Sequence, residues 1–242
     1  MKSTLFILMT ALFTMIPAAC GAAKPKKVLI FTETKEFFHT NIPFATKATK
    51  AMLEEKGFAV DTTRQSDGFF TPEKLKEYAS IIFINTTGKI FDDQEKEALK
   101  GYMKNGGGYV GVHGASDTEK QWEYYYRMSG GTFLSHPQQQ EAVVKVVDKK
   151  NPATAFLPDE WKNFDEWYDF ANFNQDVTVL AWLDETSYKG GKMGEKHPFI
   201  WCHEYEGGRA FYTGLGHTEE CFKSPLFLQH LYEAVKWSAK IK

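Results

Sequence analysis

Residues 106–117 read GGGYVGVHGASD. Three glycines close one element, and Tyr109, Val110 and Val112 then read as a short buried strand. His113 stands where that strand ends, followed by Gly114 and Ala115. A strand that turns sharply into a helix needs small residues, because only these let the backbone bend tightly. The turn puts His113 at the carboxyl edge of a sheet, where open α/β sheets place their ligands. If residues 115–122 continue as helix, His113 and Asp117 are one turn apart and can face the same space. The plain alternative is a Gly-rich connection that happens to carry a histidine.

Working outward, residues 28–33 (VLIFTE) form an apolar run ending in polar residues, as a first parallel strand should. The loop KEFFHTN carries His39. Residues 43–56 read as a helix with Phe44, Ala48, Ala51 and Met52 on its buried face and Gly57 as its stop. Residues 58–63 and 80–86 are the next two strands. Asp92 and Glu95 make a capping-box pattern for a helix running to about Asn105. This βαβ rhythm predicts a doubly wound, mainly parallel sheet with helices on both faces.

Beyond it the pattern changes. An aromatic helix over 122–127 ends at Gly130 and Gly131. Ser135, His136 and Pro137 form a loop. Residues 142–147 and 177–183 are strand-like, and WKNFDEWYDF (161–170) between them is crowded with aromatics and carboxylates. Residues 198–205 and 209–214 read as a hairpin around Gly207 and Gly208. Ser224 and Pro225 start a final helix as cap and first position, with Phe227, Leu231, Ala234 and Val235 on its buried face. No repeat and no second domain is evident, so residues 24–242 are expected to form one domain.

The chain has 242 residues, a formal net charge of −2 and 15% aromatic residues. No dense basic block follows the N-terminus, which argues against a nucleic-acid partner. Residues 1–23 carry an export-signal pattern: Lys2, an apolar run over 5–16, then small residues. The apolar run is too short for a stable membrane span. Residues 18–21 (AACG) resemble a bacterial lipoprotein cleavage site with Cys20 as the acylated residue; cleavage after Ala23 is the competing reading. The expected location is therefore the periplasm or cell envelope. Cys202 and Cys221 are available to pair in an oxidising compartment.

Of seven histidines, six fall in loop or strand-end contexts: His39, His113, His136, His197, His203 and His217. His230 lies in the last helix and reads as structural or exposed. Strand ends of a doubly wound sheet converge on one cleft, and a neutral imidazole can exchange a proton near pH 7 or bind a metal. Asp165 and Glu166 lie among Trp161, Trp167 and Tyr168, where a carboxyl can acquire a raised pKa. Aromatic faces with a few carboxylates also suit sugars, which have an apolar face and a polar rim. No HExxH or CxxC pair marks a metal site. A divalent cation would need ligands from distant segments, with His113, Asp117, His136 and His217 the candidates.

GGGYVGVHGASD, the following W-x-Y segment, GGTFLSHP, FDEWYDF and HPFIWCHEYEGGRAFYTGLGH together resemble the trehalose-utilisation (ThuA-like) family over roughly residues 27–240. The resemblance implies a flavodoxin-like fold of the class I glutamine amidotransferase type, with GVHGA at the nucleophile elbow. His113 stands there in place of the cysteine, so amidotransferase activity is not expected. The family is linked to disaccharide catabolism through 3-keto sugars, which implies a small carbohydrate substrate. A 3-keto group acidifies neighbouring C–H bonds, which a histidine or carboxylate base can exploit. The implied roles are His113 as base or ligand, Asp117 as its orienting partner and Glu166 as acid or base. His39, His136, Asp165, Tyr168 and His217 would hold or polarise the sugar. The alternative is a non-catalytic carbohydrate-binding or accessory module of the envelope, or an envelope interaction domain.

Expression in a bacterial host should give an envelope-associated product lacking residues 1–19 or 1–23. Mass spectrometry of the mature N-terminus decides between them: a lipid on Cys20 supports anchoring, a start at Lys24 refutes it, and an uncleaved cytosolic product removes the export reading.

Overall fold

Apolar runs bounded by turn residues become the parallel half of one large sheet. In a computed structural model that describes residues 26–241, these runs are β1 (Lys27–Phe31), β2 (Ala59–Thr63), β3 (Ser80–Ile84) and β4 (Gly108–Val112). The export pattern and Cys20 lie outside the described residues. Strands β3 and β4 are buried at every position, as expected for strands covered on both faces. The connecting helices are α1 (Ile42–Glu55), α2 (Pro72–Leu75) and α3 (Asp93–Lys104). Helix α3 has the expected capping box between Asp92 and Glu95.

After β4 come α4 (Glu123–Ser129), β5 (Thr132–Ser135), β6 (Gln140–Val146), β7 (Glu160–Asp165), β8 (Asp169–Ala171) and β9 (Thr178–Asp184). Strands β10 (His197–Tyr205) and β11 (Gly208–Thr213) form the expected hairpin, and α5 (Glu219–Lys223) and α6 (Pro225–Ser238) end the fold. The strand order is β2-β1-β3-β4-β11-β10-β9-β6-β7, and β5 pairs separately with β8. Neighbours from β2 to β11 are parallel, and neighbours from β11 to β7 are antiparallel. Only β10 and β6 are therefore reversed, and seven of the nine strands run one way. The first five have the flavodoxin-like order with β11 as the fifth strand. Connections β1-to-β2 and β3-to-β4 step in opposite directions, so right-handed crossovers place α1 and α3 on opposite faces.

Two readings change, and the open question of a cysteine pair closes. The buried face of α1 is Ile42, Ala45, Thr49 and Leu53; Phe44, Ala48 and Met52 are half-buried and Ala51 is exposed. The sheet thus takes the face offset by one residue from the bulkiest side chains. Residues 115–122 are not an α-helix: a 3₁₀ turn runs His113–Asp117 and the chain then extends. It is drawn out by a bridge between Thr118 and Gly88, and the Glu119 carboxylate accepts from the N–H groups of Ile90 and Phe91. Cys202 and Cys221 are both free, buried thiols rather than a pair. Among the described residues no helix is long and apolar enough to cross a membrane.

Gly108 opens β4 where the C-terminus of α6 crosses it. A Cβ there would meet the Ser238 carbonyl oxygen at 2.7 Å and that of Ala79 at 2.9 Å. Neither backbone can retreat without moving α6 or the start of β3. Gly108→Ala is expected to cost about 1–3 kcal/mol, read as a lower urea midpoint with an unchanged denaturant slope.

Candidate active site

The carboxyl ends of the parallel strands deliver the side chains. His39 comes from the loop after β1, Asn85 directly after β3, His113 directly after β4, and Gly214 to His217 from the end of β11. His113 has φ +46° and Asn85 φ +53°. Such left-handed positions cost of order 1–3 kcal/mol in residues other than glycine and persist where surrounding contacts over-determine them. Here they do. The His113 carbonyl accepts from the Tyr212 hydroxyl at 2.7 Å. Asn85 Oδ1 accepts from Gly114 N–H at 3.1 Å, and its Nδ2 donates to Asn41 Oδ1 and the Gly216 carbonyl. Gly114 has no room for a side chain, since a Cβ would lie 3.0 Å from both Asn85 Cα and His39 Cε1.

Hydrogen bonding sets the face that His113 presents. Its Nδ1 lies 2.9 Å from the Gly214 carbonyl, which only accepts, so Nδ1 carries the hydrogen. The neutral ring therefore turns the Nε2 lone pair into the site. That atom is 3.1 Å from His217 Nδ1 and 3.4 Å from Glu166 Oε2. Glu166 also lies 3.1 Å from His217 Nδ1 and, through Oε1, 3.2 Å from His136 Nδ1. Burial opposes its charge, but the neighbouring imidazoles of His113 and His217, with His217 Nδ1–H as the donor, outweigh that and hold the carboxyl well below the usual carboxylate range. The notion of a raised carboxyl pKa at this position is thus reversed, because imidazoles rather than apolar rings face the oxygens.

His39 completes the group. Its ring centre is 5.2 Å from those of both His113 and His217. Its Nε2 lies 3.3 Å from the Tyr168 hydroxyl, while its Nδ1 is buried without a hydrogen-bond partner among the described residues. Burial first, then neighbouring His113 and His217, push its pKa down to about 2. One ligand atom each from His39, His113, Glu166 and His217 lies within 4.8 Å of the others. A carboxylate, neutral imidazoles and an orphaned nitrogen form a donor set that fits a first-row divalent cation.

The remaining candidates divide. Tyr168 is a wall of the site: its ring packs on His113 at 4.0 Å between centres. His136 stands at the mouth, with 40% of its side chain exposed. Asp117 is neither the partner of His113 nor in the ligand set. A 3₁₀ turn has three residues per revolution, so position i+4 rotates off the face of position i. Its carboxylate pairs with Lys120 instead; burial raises its pKa against the pull of that lysine. Gly214 takes over the orienting contact. Asp165 faces away from the cleft and accepts from backbone N–H groups of Gly216, His217 and Thr218 at 2.8–3.2 Å. His203 and His230 bond backbone carbonyls of Met128 and Ala153, and Trp161 and Trp167 are core.

Sequence reading did not single out Asn41, Asn85, Gln139, Phe37 or Phe133. Gln139 Nε2 donates to His217 Nε2 at 2.8 Å, which leaves Nδ1–H for Glu166. Phe37 is 60% exposed and meets His39 edge-on. Phe133 covers Tyr168 at 4.2 Å, with the Lys120 ammonium 5.6 Å above it. The one available signal was Asn85, a polar residue ending the most apolar strand.

The family model described as ThuA, trehalose utilisation, matches residues 27–238. A ThuA-like protein from Bacteroides uniformis has a similar structure, with TM-score 0.74 and 29% identity over 93% of this chain and 95% of that one. A ThuA-like protein from Parabacteroides merdae gives TM-score 0.74 and 21% identity over 89% and 90%. A protein described as a GMP synthase subunit, from Thermoplasma acidophilum, shares the fold, with TM-score 0.58 and 13% identity over 90% and 96%. No curated protein matches the sequence.

The neutral state of His39 has a consequence for stability. In the unfolded chain a histidine takes up a proton near pH 6.5, whereas folded His39 does so at about 2. The unfolded state binds more protons between those values, so stability falls as pH drops through that window. Glu166 works lower, since a depressed carboxyl loses its contribution only below the unfolded value of about 4.3. In metal-free protein, chemical denaturation from pH 7 to pH 5 should therefore cost wild type about 1–2 kcal/mol more than His39→Gln. Equal slopes would show that His39 is not held neutral.

Proposed function

The chain belongs to the ThuA (trehalose utilisation) family, and from that premise we propose that it is an exported enzyme of disaccharide or glycoside catabolism. Its substrate would be a sugar or 3-keto-sugar glycoside, transformed by acid–base chemistry with a divalent cation. The observation that carries this reading is the convergence of His39, His113, His217 and Glu166 at the carboxyl edge of the sheet. The aromatic side chains of Phe37 and Phe133 beside it suit the apolar face of a pyranose.

A cation held by those four residues would act as a Lewis acid on a ketone or hydroxyl oxygen. His136, exposed at the mouth and outside the ligand set, would then carry the substrate proton, with the Pro137 carbonyl and Glu166 Oε1 setting the direction of its Nδ1. Without a cation, His113 Nε2 is the base, because the Gly214 carbonyl keeps its lone pair facing inward. Tyr168 and Phe133 exclude water from one side of the cleft. Glutamine amide transfer needs a thiolate at the elbow, and His113 occupies it. Burial pushes the Cys202 thiol up to about 12, and burial with the neighbouring Asp165 raises that of Cys221 well above the usual thiol range.

The test incubates the mature protein with 3-keto disaccharides and their unoxidised parents, with and without chelator. Turnover that chelator abolishes is expected, with His113→Ala losing one equivalent of bound metal per chain relative to wild type. Full turnover in chelator assigns His113 as the base. Binding of the glycan unchanged identifies an accessory module and overturns the enzyme reading. His113→Asn should fold, since asparagine tolerates positive φ, and lose about 100-fold or more in turnover.

A further inference from the structure

A second group of ligand-type side chains lies behind the site. Asp169 opens β8, Glu185 lies in the turn after β9, and His197 opens β10. One ligand atom from each lies within 4.8 Å of the others. Asp169 and His197 are fully buried, and the Glu185 side chain is 16% exposed. Residues 188–196 wrap around the two carboxylates. Lys192 N–H donates to Asp169 Oδ1 at 3.0 Å and Met193 N–H to Glu185 Oε1 at 2.7 Å. Gly191 is pressed against Glu185, where a Cβ would lie 2.5 Å from Cδ.

His197 decides what belongs between these groups. Its Nε2 is 2.9 Å from the Tyr168 carbonyl oxygen, which only accepts, so Nε2 carries a hydrogen. Its Nδ1 lies 2.9 Å from Glu185 Oε1. A lone pair held against a carboxylate is repulsive; the Tyr188 hydroxyl reaches Nδ1 only at 3.4 Å, so a proton or a cation between Nδ1 and Oε1 gives the better relief. A proton supplies one positive charge for two buried carboxylates. Among the described residues Asp169 has no direct ion-pair partner: its oxygens accept from neutral donors, Lys192 N–H and the Ser135 hydroxyl at 2.8 Å. The Lys192 ammonium contacts Ser135 Oγ instead. Burying an unbalanced charge is costly, and a divalent cation balances both carboxylates. Ligating histidines are commonly held by a carbonyl on the far nitrogen, as His197 is here.

We propose that Asp169, Glu185 and His197 form a second, structural site for a first-row divalent cation that accepts mixed nitrogen and oxygen ligands, such as Zn²⁺ or Mn²⁺. The cation fixes the loop over residues 188–196. Through the His197–Tyr168 contact it also fixes the residue whose ring and hydroxyl support His113 and His39. The site does not depend on the reaction assigned above.

The experiment separates the two sites. A His113→Ala/His217→Ala protein, stripped with chelator, is titrated with Zn²⁺ and with Mn²⁺ by calorimetry, and its melting temperature is followed. One equivalent per chain is expected, with a rise of about 5–10 °C at saturating metal. Adding Glu185→Gln should abolish both; its carboxamide oxygen still accepts from Met193 N–H, and circular dichroism checks that the chain is folded. Asp169→Asn is the second variant should that one unfold. No metal bound by the double variant, or binding that survives Glu185→Gln and Asp169→Asn, overturns the proposal and leaves a protonated His197–Glu185 ion pair. Wild type binding the same single equivalent as the double variant would instead count against a cation at the first site.

Discussion

The Asp165 carboxylate is the interaction on which the site depends. It ends β7, the outermost strand of the antiparallel half, and is fully buried. Its two oxygens accept from the backbone N–H groups of Gly216, His217 and Thr218 and from the Cys221 thiol. Those amides belong to the chain leaving β11, the last strand of the parallel half. One buried carboxylate therefore ties the two halves of the sheet together at the carboxyl edge. It places His217 from one half beside Glu166, the very next residue, from the other. A buried charge of this kind is tolerated because several N–H donors replace its lost hydration.

Around that tie the site is built from conflicts that are individually unfavourable. His113 and Asn85 sit in the left-handed region, and His39 is kept neutral by burial. Glu166 is partly removed from water, yet held ionised by imidazoles. Each feature is stable only because the others constrain it: Asn85 fixes the His113 turn through Gly114, and Gly214 fixes the tautomer of His113. The outcome is an inward-facing cluster of imidazole nitrogens around one carboxylate, an environment that stabilises a cation or an exchangeable proton.

The elements that repeat a simple pattern were legible beforehand. Strand ends, the Asp92–Glu95 capping box, the Gly207–Gly208 hairpin and the buried face of α6 each rest on local chemistry, and local chemistry survives into the fold. The Asp117 expectation failed for a reason outside its own segment. Continued helix after Ala115 was reasonable from the local residues, but Gly88 and the amides of Ile90 and Phe91 offered Thr118 and Glu119 better partners. The buried face of α1 was misjudged similarly, since side-chain size alone does not say which way a helix rolls against its sheet.

Residue types and their order were enough to determine that the chain forms a doubly wound sheet with His113 at a strand end. The same reasoning brought His39, His113, His217 and Glu166 into consideration and placed the chain in its family. Which histidines share a site was decided only by tertiary structure. His39, His113 and His217 lie far apart in the chain and meet because β1, β4 and β11 end at one edge. The difference between adjacent Asp165 and Glu166 is likewise tertiary. Strand alternation sends neighbouring side chains in opposite directions, and only the position of the β11 loop makes one a structural tie and the other the centre of the site.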